Sequence, residues 1–247
     1  MAIVGLLYPG HSAEDDYAHA ERILGGTGGD VPHRFPVTVT SVGEDAHRVD
    51  ALLDLGSPER LSEGADRLVA EHHPEAVVWA CTSGSFVYGY DGARRQAKAL
   101  ARRTGLPATS TSLAFARAVR ALGLTRVAVA ASYPRDVAVH FVDLLHRAGA
   151  TVTDLASHGI VTAAEVGTLP PEGVLDLVRQ APRHGAQALL VPDTAMHTLA
   201  IVPAMEEAAG MPVLTANQVT VWDGLRLLDL SPHALELGTL FHPRLPA

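Results

Sequence analysis

Short apolar runs alternate with helix-period segments along this chain, and that alternation constrains its fold more than anything else. Ile3–Tyr8, Val37–Val42, Ala76–Ala80, Arg126–Ala130, Thr151–Leu155 and Ala188–Val191 read as buried strands. Between them, amphipathic stretches run over Pro58–Glu71, Arg94–Arg103, Leu113–Leu122, Asp136–Ala148, Pro171–Ala181 and Ala195–Ala209. Strands buried on both faces need crossover helices between them, so the order predicts an α/β fold with parallel sheets. The chain also repeats itself. Val77–Thr82 (VVWACT) leads to a helix, then to Gly105-Leu106-Pro107-Ala108-Thr109-Ser110 and another helix. Leu189–Thr194 (LLVPDT) leads to a helix, then to Gly210-Met211-Pro212-Val213-Leu214-Thr215 and another helix. A repeat of this size fixes architecture. It predicts two pseudo-symmetric half-domains, each a parallel sheet flanked by helices, facing each other across a cleft. The first half takes 1–112, with 217–247 packing back onto it, and the second takes 113–216. On the pseudo-twofold axis Cys81 is the mate of Asp193, and Thr82 of Thr194. Chance likeness between two βα units is the competing explanation.

In open parallel sheets, ligands bind just beyond the carboxyl ends of the strands. Cys81-Thr82-Ser83-Gly84-Ser85 stands there, after one strand and before a helix. A helix start offers unpaired N–H groups for a carboxylate or oxyanion, and its field is expected to lower the thiol's pKa. Thr82 and Ser83 add hydroxyl donors. A lone cysteine is more often a small buried hydrophobe, but these neighbours favour a functional thiol. Asp193-Thr194 ends the matching strand of the second half. Asp193 is either the N-cap of a helix starting near Ala195 or an acid/base group opposite the thiol. Tyr133 follows another strand and is either a carboxylate donor or a packed core residue.

Other chemistries find no motif. Neither G-x-x-x-x-G-K-[ST] nor a post-strand G-x-G-x-x-G is present, and Ser83 and Ser85 do not sit in G-x-S-x-G. Gly25-Gly26-Thr27-Gly28-Gly29 follows helix-like sequence and reads as a loop or flap. Thirteen histidines invite a metal reading, but His72-His73 lack H-E-x-x-H, and Asp193 with His197 is a single i,i+4 pair. No metal and no cofactor is expected. A net charge of −8 argues against a nucleic-acid partner. The cluster Arg94, Arg95, Lys98, Arg102 and Arg103 fits a solvated helix face. One cysteine excludes an internal disulfide framework. No apolar run reaches the length of a membrane span, and the first strand begins near Ala2 with no room for a signal peptide, so a cytoplasmic protein is expected.

These residues resemble the aspartate/glutamate racemase superfamily, in particular the branch of maleate cis–trans isomerases and arylmalonate decarboxylases. The likeness runs through Gly5-Leu6-Leu7-Tyr8-Pro9, Ala80–Phe86, Ser132-Tyr133-Pro134-Arg135-Asp136-Val137 and His158-Gly159-Ile160. It ends on Asn217-Gln218-Val219-Thr220-Val221-Trp222, similar to the family's N-Q-x-x-x-W. The resemblance implies a cofactor-free enzyme, one catalytic position from each half, and a homodimer. Isomerases and racemases of this kind use two cysteines; the first matches Cys81, and the second position holds Asp193. The decarboxylases place their one cysteine at the position of Asp193, with glycine at that of Cys81. Thr82, Ser83 and Tyr133 match the donors to one substrate carboxylate. The asparagines that meet a second carboxylate in maleate isomerases are missing from Pro9-Gly10-His11-Ser12 and Thr162-Ala163-Ala164. The second substrate group is therefore expected to be less polar, lost, or held by His11, with Pro9 and Thr194 also facing the substrate. Three readings follow: an isomerase or racemase in which the Cys81 thiolate adds to, or deprotonates, the carbon beside a carboxylate of a small carboxylic acid and Asp193 returns a proton from the opposite face; a decarboxylase of malonate-type acids, with Cys81 protonating the enediolate; and a catalytically silent ligand-binding relative.

Overall fold

The computed structural model describes residues 1–10, 12–25, 33–231 and 233–242. It contains two four-stranded parallel sheets. The first comprises β1 (Val4–Pro9), β2 (Val37–Thr40), β3 (Ala76–Trp79) and β4 (Ala108–Ser110), in the order β2-β1-β3-β4. The second comprises β5 (Arg126–Ala131), β6 (Thr151–Ser157), β7 (Leu189–Val191) and β8 (Val213–Thr215), in the order β6-β5-β7-β8. The two orders correspond strand for strand, so the repeat is one of architecture and not a chance likeness. Trp79 pairs with Ser110 at the end of the β3–β4 ladder, as Val191 pairs with Thr215 at the end of β7–β8.

The helices are α1 (Asp15–Leu24), α2 (Val49–Leu55), α3 (Pro58–His72), α4 (Ser83–Phe86), α5 (Gly89–Thr104), α6 (Thr111–Ala121), α7 (Arg135–Arg147), α8 (Ala163–Gly167), α9 (Pro171–Gln180), α10 (Val202–Ala209) and α11 (Ala216–Arg226). The glycines of the repeated Gly-x-Pro have a mechanical reason. Gly105 ends α5 at φ 73° and Gly210 ends α10 at φ 66°, left-handed turns that glycine takes without a Cβ penalty. Proline then prevents the helix from continuing.

α11 follows the last strand of the second sheet yet lies against β3 and β4 of the first. Gly224 permits the approach, because a Cβ there would stand 2.6 Å from Val4 Cγ1. The helix also packs on α6. Thr111 and Thr220 share a 2.6 Å hydroxyl bond, and the buried Asp223 accepts from Thr109 Oγ1 (2.8 Å) and Arg117 Nη1 (2.5 Å). No helix among the described residues is long and apolar enough to cross a membrane.

Several expectations shift. The strand expected over Val37–Val42 stops at Thr40, and residues 41–48 leave the sheet as a loop. The helix-like sequence before Gly25 is α1, while α2 and the short α8 match no amphipathic stretch of the sequence reading. The helix expected over Ala195–Ala209 begins only at Val202, after a 3-10 turn at Leu199–Ile201. Its first turns are pre-empted by tertiary partners: Thr198 N and Leu199 N both donate to Asp16 Oδ2, at 2.9 and 3.1 Å. Burial raises the Asp16 pKa, and those two N–H groups and Asn217 oppose the shift. Asn217 and Gln218 of N-Q-x-x-x-W hold this region together. Asn217 Nδ2 donates to Asp16 Oδ2 and to Met196 O, while its Oδ1 accepts from Tyr17 Oη. Gln218 closes a capping box with Thr215 and donates to Leu237 O.

Candidate active site

Cys81 follows β3 by two residues and Asp193 follows β7 by two, so the repeat brings them to equivalent strand ends. Both are buried, and both line one cavity of about 230 Å³. Pro9, Ser83 and Thr194 line it as well. His11 lies outside the described residues, as do Gly26–Gly29 of the glycine run. Thr82 and Tyr133 are fully covered and stand behind the cavity wall.

The Cys81 sulfur accepts from Gly84 N at 3.3 Å and lies 3.8 Å from Ser83 Oγ. The backbone there is held tightly. Gln96 Nε2 donates to Gly56 O (2.8 Å) and Gly84 O (2.9 Å), and a Cβ on Gly56 would fall 2.0 Å from Gly84 O. The expected lowering of the thiol pKa does not hold. Burial pushes it up to about 12; the Gly84 N–H and Ser83 oppose the shift, and the Asp193 charge adds to it. The reason is geometric: α4 is a single turn of four residues, and its partial charges do not offset the cost of a thiolate buried in protein. We therefore expect iodoacetamide to modify Cys81 at pH 8 at least ~100-fold more slowly than an exposed thiol. The rate should keep rising about tenfold per pH unit to pH 9.5; a plateau below pH 9 would show an ordinary thiol.

Asp193 has φ 155°, a value non-glycine residues seldom adopt. Its Oδ2 accepts from Ser132 Oγ at 2.5 Å and its Oδ1 from Ala195 N at 3.0 Å. No α-helix starts at Ala195, so capping an α-helix does not explain the carboxylate. Burial raises its pKa, opposed by His47, Ser132 and the Ala195 N–H and reinforced by Asp45. His197 pairs with Asp15 at 3.1 Å instead of with Asp193. Among the described residues no group of three His, Cys, Asp or Glu side chains is arranged to hold a metal.

Tyr133 packs edge-on against His47 (4.7 Å between ring centroids) and Phe86 (5.5 Å). Burial holds its phenol protonated, beside the Thr82 and Ser83 hydroxyls. Thr82 Oγ1 has no hydrogen-bond partner among the described residues.

Sequence reasoning missed four residues of this site. Tyr8, at the end region of β1, accepts from Ala13 N (3.0 Å) and donates to Thr194 O (2.9 Å), joining the first half to the second. Ser132 follows β5, where the strand-end rule that picked out its neighbour Tyr133 applied equally. His47 and Asp45 sit on the 41–48 loop with no local signal. Yet His47 N donates to Val161 O and His47 Nδ1 meets Ile160 O, both at 2.7 Å. Asp45 accepts from Ala163 N (2.8 Å) and Ala164 N (3.0 Å).

Fold and site together define a class: two-lobed α/β proteins in which residues from two pseudo-equivalent strand ends share one cavity. Within that class the chain belongs to the arylmalonate decarboxylase family, whose model matches residues 57–241. A maleate isomerase of Nocardia farcinica is 29% identical over 168 residues, 66% of this chain and 67% of that protein. An arylmalonate decarboxylase of Bordetella bronchiseptica is 30% identical over 148 residues, 59% of this chain and 62% of that one. The fold matches a mutant Nocardia farcinica maleate cis-trans isomerase that carries a covalently bound succinylcysteine intermediate. The TM-score is 0.84 at 25% identity, over 98% of each chain.

Proposed function

We propose that this protein is a cofactor-independent isomerase or racemase that works at the carbon next to the carboxylate of a small carboxylic acid. The observation that carries this reading is the pair Cys81 and Asp193, buried at equivalent strand ends on one cavity. The substrate carboxylate sits against the Cys81–Gly84 turn. Ser83, on the cavity lining, and the N–H groups of the turn supply donors, backed from behind the wall by the Thr82 hydroxyl and the protonated Tyr133, and they stabilise the negative charge that reaches the carboxylate oxygens as the carbon is deprotonated.

Burial raises both acids, but a thiol starts some five units above a carboxyl, so the first proton belongs on sulfur. In the resting site Cys81 is a thiol, and Asp193 is the available base. Its carboxylate removes the proton from the carbon beside the carboxylate, leaving an enediolate. Cys81 then protonates that carbon, leaving a thiolate and a protonated Asp193, and the reverse reaction exchanges the roles. In cis–trans isomerisation Asp193 would instead take the proton of Cys81 as the sulfur adds to the double bond. Rotation about the resulting single bond, expulsion of the thiolate and return of the proton to it from Asp193 would release the trans acid, a route for which the succinylcysteine intermediate of the Nocardia farcinica relative is a precedent.

The matched family and the apolar side chains Val42, Leu52 and Leu55 on the cavity favour a second reading, loss of carbon dioxide from a malonate-type acid. Incubation in D₂O separates them. The first reading expects deuterium to enter beside the carboxylate of 2-phenylpropanoate, or maleate to convert to fumarate. Carbon dioxide release from phenylmalonate without either change moves the assignment to the lyase. No reaction with any of these acids leaves a ligand-binding protein.

A further inference from the structure

The charge on the cavity lining is one-sided. Glu44, Asp45 and Asp193 contribute three carboxyl groups, and no arginine or lysine lines it among the described residues. His47 is the only basic side chain there among the described residues, and its Nδ1 is tied to Ile160 O. Glu44 is paired with Arg48, at 3.0 Å. Asp45 has no cation within ion-pair distance among the described residues, and its position is fixed. One carboxylate oxygen accepts from Ala163 N and the other from Ala164 N, while the His47 backbone N–H ties the same loop to Val161 O. The Ala163 and Ala164 N–H groups are thus already used by a carboxylate of the protein's own and are closed to a second substrate carboxylate. Its field also reaches Asp193, where it acts to raise the pKa. The remaining lining is largely small or apolar: Val42, Ala46, Leu52, Leu55, Ala163 and Ala164.

We propose that Asp45 is a specificity-determining residue that restricts this site to acids with one carboxylate and an apolar body, and turns dicarboxylates away. This rests on the proposed function, of which it names the substrate class. A dicarboxylate whose first carboxylate docks at the Cys81–Gly84 turn must bring its second toward the Asp45 charge. There the Ala163 and Ala164 N–H groups are already taken, and among the described residues no Arg or Lys offsets the repulsion.

Equilibrium binding tests this without requiring turnover. Isothermal titration of the full chain with 3-phenylpropanoate and with succinate should give at least ~10-fold tighter binding of the monocarboxylate. Asp45 is exposed, so its effect is screened and moderate. Asp45→Asn keeps an acceptor for one of the two N–H groups and should tighten succinate ~5–10-fold while 3-phenylpropanoate stays within ~2-fold. Asp45→Glu keeps the charge and should keep the discrimination. Equal or tighter binding of succinate by the wild type would overturn the proposal. So would an Asp45→Asn protein with unchanged selectivity, or no binding of either acid. The two readings fail separately. Selective binding without deuterium exchange removes the reaction and keeps the role of Asp45; exchange without selective binding does the opposite.

Discussion

Cys81→Ala should cut turnover at least ~1,000-fold, about 4 kcal/mol of barrier, while leaving the fold in place. Cys81 is the chain's one cysteine, and no other described lining group offers sulfur chemistry. Cys81 is 2% exposed, and its sulfur accepts from the Gly84 N–H. Alanine has no proton to supply and no thiolate to form. The structural cost is separate and small. Losing one buried sulfur should cost about 1 kcal/mol, which for a domain of this size lowers the Tm by about 2–4 °C. Steady-state rates with thermal melts of the same preparation check both numbers. An alanine variant within tenfold of wild type would remove Cys81 from the chemistry.

Asp193→Asn should lose at least ~100-fold in turnover, the lower end for general acid–base catalysis, and should not lose stability. Asparagine fits the same space. Its carbonyl can accept from Ala195 N, and its amide can donate to Ser132 Oγ, so both hydrogen bonds of the native side chain have a counterpart. What disappears is the ability to move a proton and the cost of burying a charge. The sign of the pH effect follows. The Asp193 pKa is raised in the folded protein, so the stability linked to this group is present below the ordinary carboxyl range and is lost as pH rises through the folded value. At pH 7.5 the variant should melt at or above the wild-type Tm, and the gap should narrow toward pH 4. A variant with near-normal rate would leave Cys81 working alone and favour the decarboxylase reading; a marked fall in Tm at pH 7.5 would make Asp193 a structural residue.

The α/β class, the doubled architecture and the identity of Cys81 were legible because each depends on residues near one another in the chain. A buried parallel strand needs only a short apolar run, a left-handed helix end needs a glycine where Gly105 and Gly210 stand, and a strand end exposes whatever follows it. Pairing β3 with β7 by their shared pattern then singled out Asp193. The sequence alone also carried the N-Q-x-x-x-W signature, though not its purpose, which is to bind Asp16 and Met196 to the start of α11.

Tertiary structure decided the rest, because the deciding contacts join residues far apart in the chain. Asp16 takes the N–H groups of Thr198 and Leu199, and so delays a helix whose local sequence permits an earlier start. The 41–48 loop reaches the second half through Asp45 and His47, over separations of more than a hundred residues that no local pattern encodes. The protonation of Cys81 was set the same way. A strand end followed by a helix argues for a low thiol pKa, but complete burial around a one-turn helix reverses the sign. Local sequence fixes which groups stand at the strand ends; desolvation, which sums over every neighbour in space, fixes their charge.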